Sequence, residues 1–387
     1  MTHDQLIYAA VVAVRLILPL LIARYPLPAI VGCLTVDALD QTIFQTFTRR
    51  DLGGYQVYDK ALDVYYLTLA YLSTIRNWGG GPDFTVGRWL WYYRLIGVAI
   101  FEYTSAGWIL VVFPNTFEYY FIAIEWYKVH RNPNRLSARQ TWTIAAALWI
   151  VIKLPQEWWI HVADLDFTDF VLRHVFGAPT ATSWVSAVSD RPLAAIGLIA
   201  GATVLSAGAI TLSRRLPPEE WANAYDANRQ DELLGWRAPR REARPGVFLG
   251  WAFVEKVALV AMVLIIFARI VPGADTNVAR VLAVTIYLLA VNALLSQFLA
   301  GRRASWRNTA TQFAWMACAN LVVLLATAAA VNSGHRAVPL QTTAFLIGLL
   351  TLIVVIYDRS HSVFADQQDE RDLGERASAG RPEGLAT

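Results

Sequence analysis

Long apolar runs separated by short polar turns dominate this chain. They recur at 6–23, 87–113, 140–154, 192–213, 247–271, 281–300, 309–331 and 341–357. A helix needs about 20 such residues to cross a ~30 Å hydrocarbon core, and several of the runs reach that length. The pattern predicts an all-α fold, a polytopic integral membrane bundle of about ten transmembrane helices. The first run, Leu6 to Ala23, has the length of a signal peptide. Arg15 interrupts it, however, His3 and Asp4 stand where a basic segment belongs, and no small-residue cleavage site follows. It is expected to remain as a helix, bent near Pro19.

The turns orient the bundle, because basic residues collect on the cytoplasmic side. Basic turns are 128–139 (Lys128, Arg131, Arg135, Arg139), 214–247, and 301–307 with Arg302, Arg303 and Arg307. The intervening turns are Phe113–Asn115, the acidic 162–191 (Asp164, Asp166, Asp169) and 332–340. Their alternation from 87 to 357 gives eight spans and a cytoplasmic C-terminus. Ahead of these, 57–76 reads as an aromatic, polar span. Leu27–Phe47 is apolar to Val36 and polar beyond it. As a surface helix or re-entrant hairpin it gives ten spans, the count adopted; as a full crossing it gives eleven.

Composition supports the membrane reading. Of 387 residues, 56% are hydrophobic and 16% charged, against a usual charged share of about 25%. Mean hydropathy is +0.39. The formal net charge of +3 gives no reason to expect nucleic acid. Arginine far outnumbers lysine, as in GC-rich bacterial genomes, so a bacterial inner membrane is the expected location. Cys33 and Cys318 both lie in apolar context and are expected as free thiols. Nine of fifteen tryptophans and thirteen of sixteen tyrosines precede residue 160. Three regions follow: a polar, aromatic bundle over 1–191, an apolar bundle over 192–357 with its cytoplasmic loop at 214–247, and a disordered tail over 358–387.

Charge inside the apolar runs marks the first region as the functional one. A single ionised side chain at mid-bilayer costs at least ~2.5–3.5 kcal/mol, so such groups pair or face water. The primary candidates for proton coupling are Glu102, Glu125, Arg94, Lys153, Glu157, Asp59 and Asp63. Glu102 is expected near the middle of a span from Gly87 to Phe113, paired to Arg94 or Lys153 if its role is structural. Glu118 follows Asn115-Thr116 and reads as an acidic first helical turn. Glu125 has Lys128 at i+3 to pair with.

Asp37, Asp40, Glu118 and His161 are secondary candidates. Asp37, Gln41 and Gln45 form an i, i+4, i+8 stripe, read as the solvated face of a surface helix. If that helix enters the bilayer, the stripe instead faces Asp59 and Asp63 across a polar pathway. Lys153, Glu157 and His161 make a second ladder through a turn that Pro155 kinks. Glu157 and His161 supply only two ligands, so no metal is expected. Gly197-x-x-x-Gly201 reads as a packing or dimerisation face.

No nucleophile motif and no phosphate loop is present, and no cofactor is assigned. The expected function is a transporter or channel that uses intramembrane carboxylates for proton- or cation-coupled movement of a small solute. An embedded enzyme or electron carrier acting on a lipid, isoprenoid or quinone is one alternative. A non-catalytic subunit of a membrane complex, whose charges pair with a partner membrane subunit and whose 214–247 loop is the docking surface, is the other.

Overall fold

The computed structural model describes residues 3–47, 55–161, 170–179, 182–213, 218–235, 251–270, 313–322 and 344–361, with 287, 290 and 291. Expectations for the 281–300 span, the arginine turn 301–307, the turn 332–340 and the tail beyond 361 lie outside these residues. So do Asp164, Asp166 and Asp169. The regular structure of the described residues is all helical, without strands, as an all-α fold requires.

Helix α1 (His3–Ile17) tightens into a 3₁₀ turn over Leu18–Leu21, where Pro19 cannot donate a hydrogen bond. Then come α2 (Pro26–Phe47), α3 (Tyr55–Asn77) and α4 (Pro82–Thr104). The short α5 (Trp108–Val112) leads to α6 (Thr116–His130) and α7 (Ala138–Ala147), which Ser137 and Gln140 open with a reciprocal capping box. A π-helical turn over Leu148–Lys153 joins α7 to α8 (Leu154–His161). Pro155 accounts for it: without its N–H the α-pattern of bonds fails, and the turn widens as expected of a kink.

Beyond lie α9 (Trp184–Asp190), α10 (Pro192–Ser213), α11 (Ala227–Leu233) and α12 (Trp251–Ile270). The last described helices are α13 (Phe313–Val322) and α14 (Ala344–His361).

Two of the described helical stretches are long and apolar enough to cross a membrane, His3–Leu21 and Ala344–His361. A third candidate is the bent pair of Trp184–Asp190 with Pro192–Gly208. Length does not exclude the rest, since α2, α3 and α4 have 22, 23 and 23 residues. They are more polar, however: α3 carries Asp59, Lys60, Asp63 and Arg76.

The centre of the molecule is α3. Tyr65, Tyr71, Leu72 and Ile75 are fully buried, and so are Thr68 and Thr74, whose hydroxyls bond back to the carbonyls of Val64 and Tyr71. Around α3 pack α1, α2, α4 and α12. Tyr71 stacks on Trp91 of α4 at 5.7 Å, and Trp78 on Phe121 of α6 at 5.7 Å.

The expected span 87–113 is not one helix. Ser105 adopts a left-handed conformation (φ 53°), with its N–H on the Phe101 carbonyl, and the chain folds back. The Tyr93 hydroxyl donates to the Val112 carbonyl at 2.7 Å, and the Tyr93 and Phe113 rings lie 4.5 Å apart. Gly97 permits this return, because a Cβ there would overlap Phe113.

The described part of the 214–247 loop opens without a helix. Residues 218–226 are irregular, and their backbone closes the end of α6. Glu220 and Ala224 donate to the carbonyls of His130 and Val129, and the Trp221 indole to that of Lys128. These carbonyls have no partner inside the helix, which explains why the segment docks there.

Candidate functional site

The densest polar cluster gathers four aspartates around one guanidinium. Arg15 of α1 is 5% exposed. Its Nη2 donates to Asp37 and Asp63 at 2.5 Å each, and its Nη1 to Asp40 and Asp59. Each terminal nitrogen therefore reaches one carboxylate on α2 and one on α3. The spacing allows it: Asp37 and Asp40 are three residues apart, Asp59 and Asp63 four, so each pair shares a helix face.

With all four aspartates ionised, these five groups taken alone carry three negative charges more than positive ones. One carboxylate oxygen each from Asp37, Asp59 and Asp63 lies within 4.8 Å of the others. Arg15 already supplies the positive charge among them. This arrangement corrects the reading of Asp37 and Asp40 as a solvated surface face, since Asp40 is 1% exposed. The stripes face each other across the α1–α2–α3 interface, because a buried arginine draws both inward. The side chains of Gln41 and Gln45 lie outside the described part.

A second, charge-balanced cluster joins α4, α6 and α8. Glu118 accepts from the Tyr66 hydroxyl at 2.6 Å and from Asn115 Nδ2 at 2.8 Å. Glu157 accepts from the Asn115 backbone N–H at 3.3 Å. Arg94 and Lys153 supply the opposing charges, and Lys153 also lies 4.3 Å above the Tyr119 ring. Glu118 does occupy the first turn of α6, but it is 4% exposed and tied across the bundle. Helix capping alone does not account for it. The His161 side chain is outside the described part, so its ladder with Lys153 and Glu157 stops at Glu157.

Glu102 lies in the last turn of α4 rather than mid-span, and its partner is neither Arg94 nor Lys153. Lys60 of α3 approaches it at 3.5 Å. The reason is the end of α4 at Thr104, which places Glu102 beside the start of α3 and away from α8. Glu102, Lys60, Asp63 and Arg94 all line one partly open cavity of about 150 Å³. Asp63 thus belongs both to the Arg15 cluster and to the cavity wall.

Glu125 and Lys128 are both buried at the inner end of α6 and pair at 3.3 Å. Glu125 also accepts from the Trp78 indole at 2.5 Å, and Lys128 donates to the Asn77 carbonyl. This pair is separate from the cavity.

Two participants escaped sequence reasoning. Arg15 counted only as an interruption of the first apolar run, although a lone cation inside such a run signals a buried acidic partner. Glu255 lies in the apolar second region, yet it meets the Arg88 guanidinium at 2.9 Å, the Tyr92 hydroxyl at 3.2 Å and the Tyr71 hydroxyl. The later helices therefore contribute more than a packing scaffold. No protein-family model matches the chain, and neither does any curated protein or solved structure.

Proposed function

We propose that the chain is a multi-pass protein of a bacterial inner membrane, a bundle of about ten transmembrane helices that couples proton or cation movement to that of a small solute. The observation that carries this reading is the Arg15 cluster and its opening through Asp63 to the cavity shared with Arg94 and Glu102. Three surplus negative charges on four aspartates are what a proton or a cation neutralises. A group that loads and unloads in this way needs a route to water and a neighbouring solute site, and Asp63 adjoins both.

The surface supports the membrane part. Ile150 and Val151 are 62% and 71% exposed, Leu193 and Val204 81% and 70%. Apolar area on this scale needs a non-aqueous contact. The lipid bilayer is the proposed surrounding, with a partner subunit as a further neighbour of the outer helices.

The test uses purified protein in proteoliposomes and a panel of labelled small anions, cations and zwitterions. An inward proton gradient is expected to drive accumulation of at least one solute, and a protonophore to abolish it. Asp63→Asn should abolish it too while melting like the wild type. Accumulation no greater than in protein-free vesicles for the whole panel overturns the reading.

A further inference from the structure

We infer that residues 218–235 form a pH-sensitive clasp, which grips the bundle end carrying the basic turn 128–139 more tightly as the pH there falls. The segment ties three elements together. Glu220 and Ala224 bond the end of α6 through their backbone N–H groups, and Ala227 donates to the Arg24 carbonyl, ahead of α2, at 2.8 Å. Arg76 at the end of α3 donates to the Asn228 side chain at 3.0 Å. Outside these bonds, Arg24 pairs with Asp226 and Arg135 with Glu220. Helices α2 and α3 supply the aspartates around Arg15, so the clasp bears on the elements of that cluster.

Beneath the clasp, carboxylates outweigh the cation they share. Asp83, Glu125 and Asp231 are buried, and Lys128 is the buried cation that faces all three. Arg76 also faces Asp231 from α3, while Glu125 and Asp226 repel it. Both cations are bonded elsewhere: Lys128 to Glu125 and the Asn77 carbonyl, Arg76 to the Ala23 carbonyl and Asn228. Asp83 Oδ2, Glu125 Oε2, Asn77 Oδ1 and Gln230 Oε1 are sealed from solvent and accept from no donor. A proton is the guest that suits such atoms, because a protonated carboxyl takes no extra room and supplies a donor. Asp231 is the carboxyl of this group that moves with the clasp. Burial raises it from 3.8 to about 6. Docking is therefore strongest with Asp231 protonated, weakens as the pH climbs from 3.8, and is weakest above about 6. His130 is the rival sensor, since it faces Glu219 of the same segment at 3.9 Å and its protonation would favour docking too.

Hydrogen exchange over 218–235 in the full-length detergent-solubilised protein tests the inference. Protection is taken relative to the free peptide of the same sequence at the same pH. It is expected to fall about tenfold from pH 4.5 to pH 7.5. Asp231→Asn mimics the neutral acid and should hold the low-pH protection at both values, its folding being checked by a melting curve. Glu219→Gln removes the partner of His130 and should keep the wild-type fall. Equal protection at both pH values in the wild type, an undiminished fall in Asp231→Asn, or loss of the fall in Glu219→Gln overturns the inference. The clasp does not rest on proton coupling. The expected fall without proton-driven uptake leaves the clasp standing and removes the transport reading; uptake with flat protection does the reverse.

Discussion

Helices α3 and α10 are nearly equal in length, 23 and 22 residues, and occupy opposite places. α10 carries no charged residue, yet Leu193, Ile196, Ile199 and Val204 are all more than half exposed. α3 carries four charges and five tyrosines counted from Tyr55, yet most of its length is sealed within the bundle. In water the hydrophobic effect would place them the other way round. The difference teaches that polar groups here act as the internal adhesive, while apolar surface is what the molecule shows to its surroundings, in keeping with the proposed bilayer.

The contrast can be broken most severely at Arg15. Arg15→Met leaves four carboxylates together without their cation, and removing one partner of a buried ion pair costs about 3–5 kcal/mol. Loss of the folded monomer in size-exclusion and thermal-melt assays is expected, with partial recovery on adding Asp40→Asn.

Asp231 on α11 comes next, with the opposite sign. It is 7% exposed, and burial raises its carboxyl from 3.8 to about 6 against the pull of Lys128 and Arg76. A carboxyl raised in the folded state weakens folding once ionised: the penalty is complete above about pH 6 and absent below 3.8. Asp231→Asn should therefore stabilise the protein at pH 7.5 by up to about 3 kcal/mol. The gain should fade between pH 6 and 4 in melting curves.

Gly97→Ala drives a methyl into Phe113 and should cost about 1–3 kcal/mol. The smallest effect is expected on α10. A Cβ at Gly201 meets nothing within 4 Å, so Gly201→Ala should leave stability unchanged or raise it by up to about 1 kcal/mol. A clear loss of stability or of a dimer would show that a second helix covers that face.

Much of this architecture was legible in the apolar runs, which located α1, α10, α12 and α14. The acidic candidates were also visible, because Asp59, Asp63, Glu102 and Glu157 sit where hydrocarbon-facing helices do not tolerate charge. The local pair of Glu125 with Lys128 was visible too; the long-range pairings were not. Nothing local in the sequence tells Glu102 to meet Lys60 across 42 positions, or Arg94 to leave its neighbour for the far end of α5. The return of the chain at Ser105 was masked because residues 87–113 are apolar on both sides of it. Glu255 was hidden because it is the one carboxylate of a mostly apolar helix and is followed at once by Lys256. Gly197 and Gly201, read as a packing or dimerisation face, meet nothing within 4 Å among the described residues of this chain.

The bond between Arg88 and Glu255 also sets a timetable. Ribosomes add roughly 5–20 residues per second, so Arg88 emerges roughly 10–30 s before the carboxylate that answers its charge at 2.9 Å. Arg15, by contrast, gains Asp37 and Asp40 within a few seconds of its own synthesis on the same scale. The first three helices can close around Arg15 early in biogenesis. The face of α3 and α4 that carries Tyr71 and Arg88 is completed only when α12 arrives with Glu255.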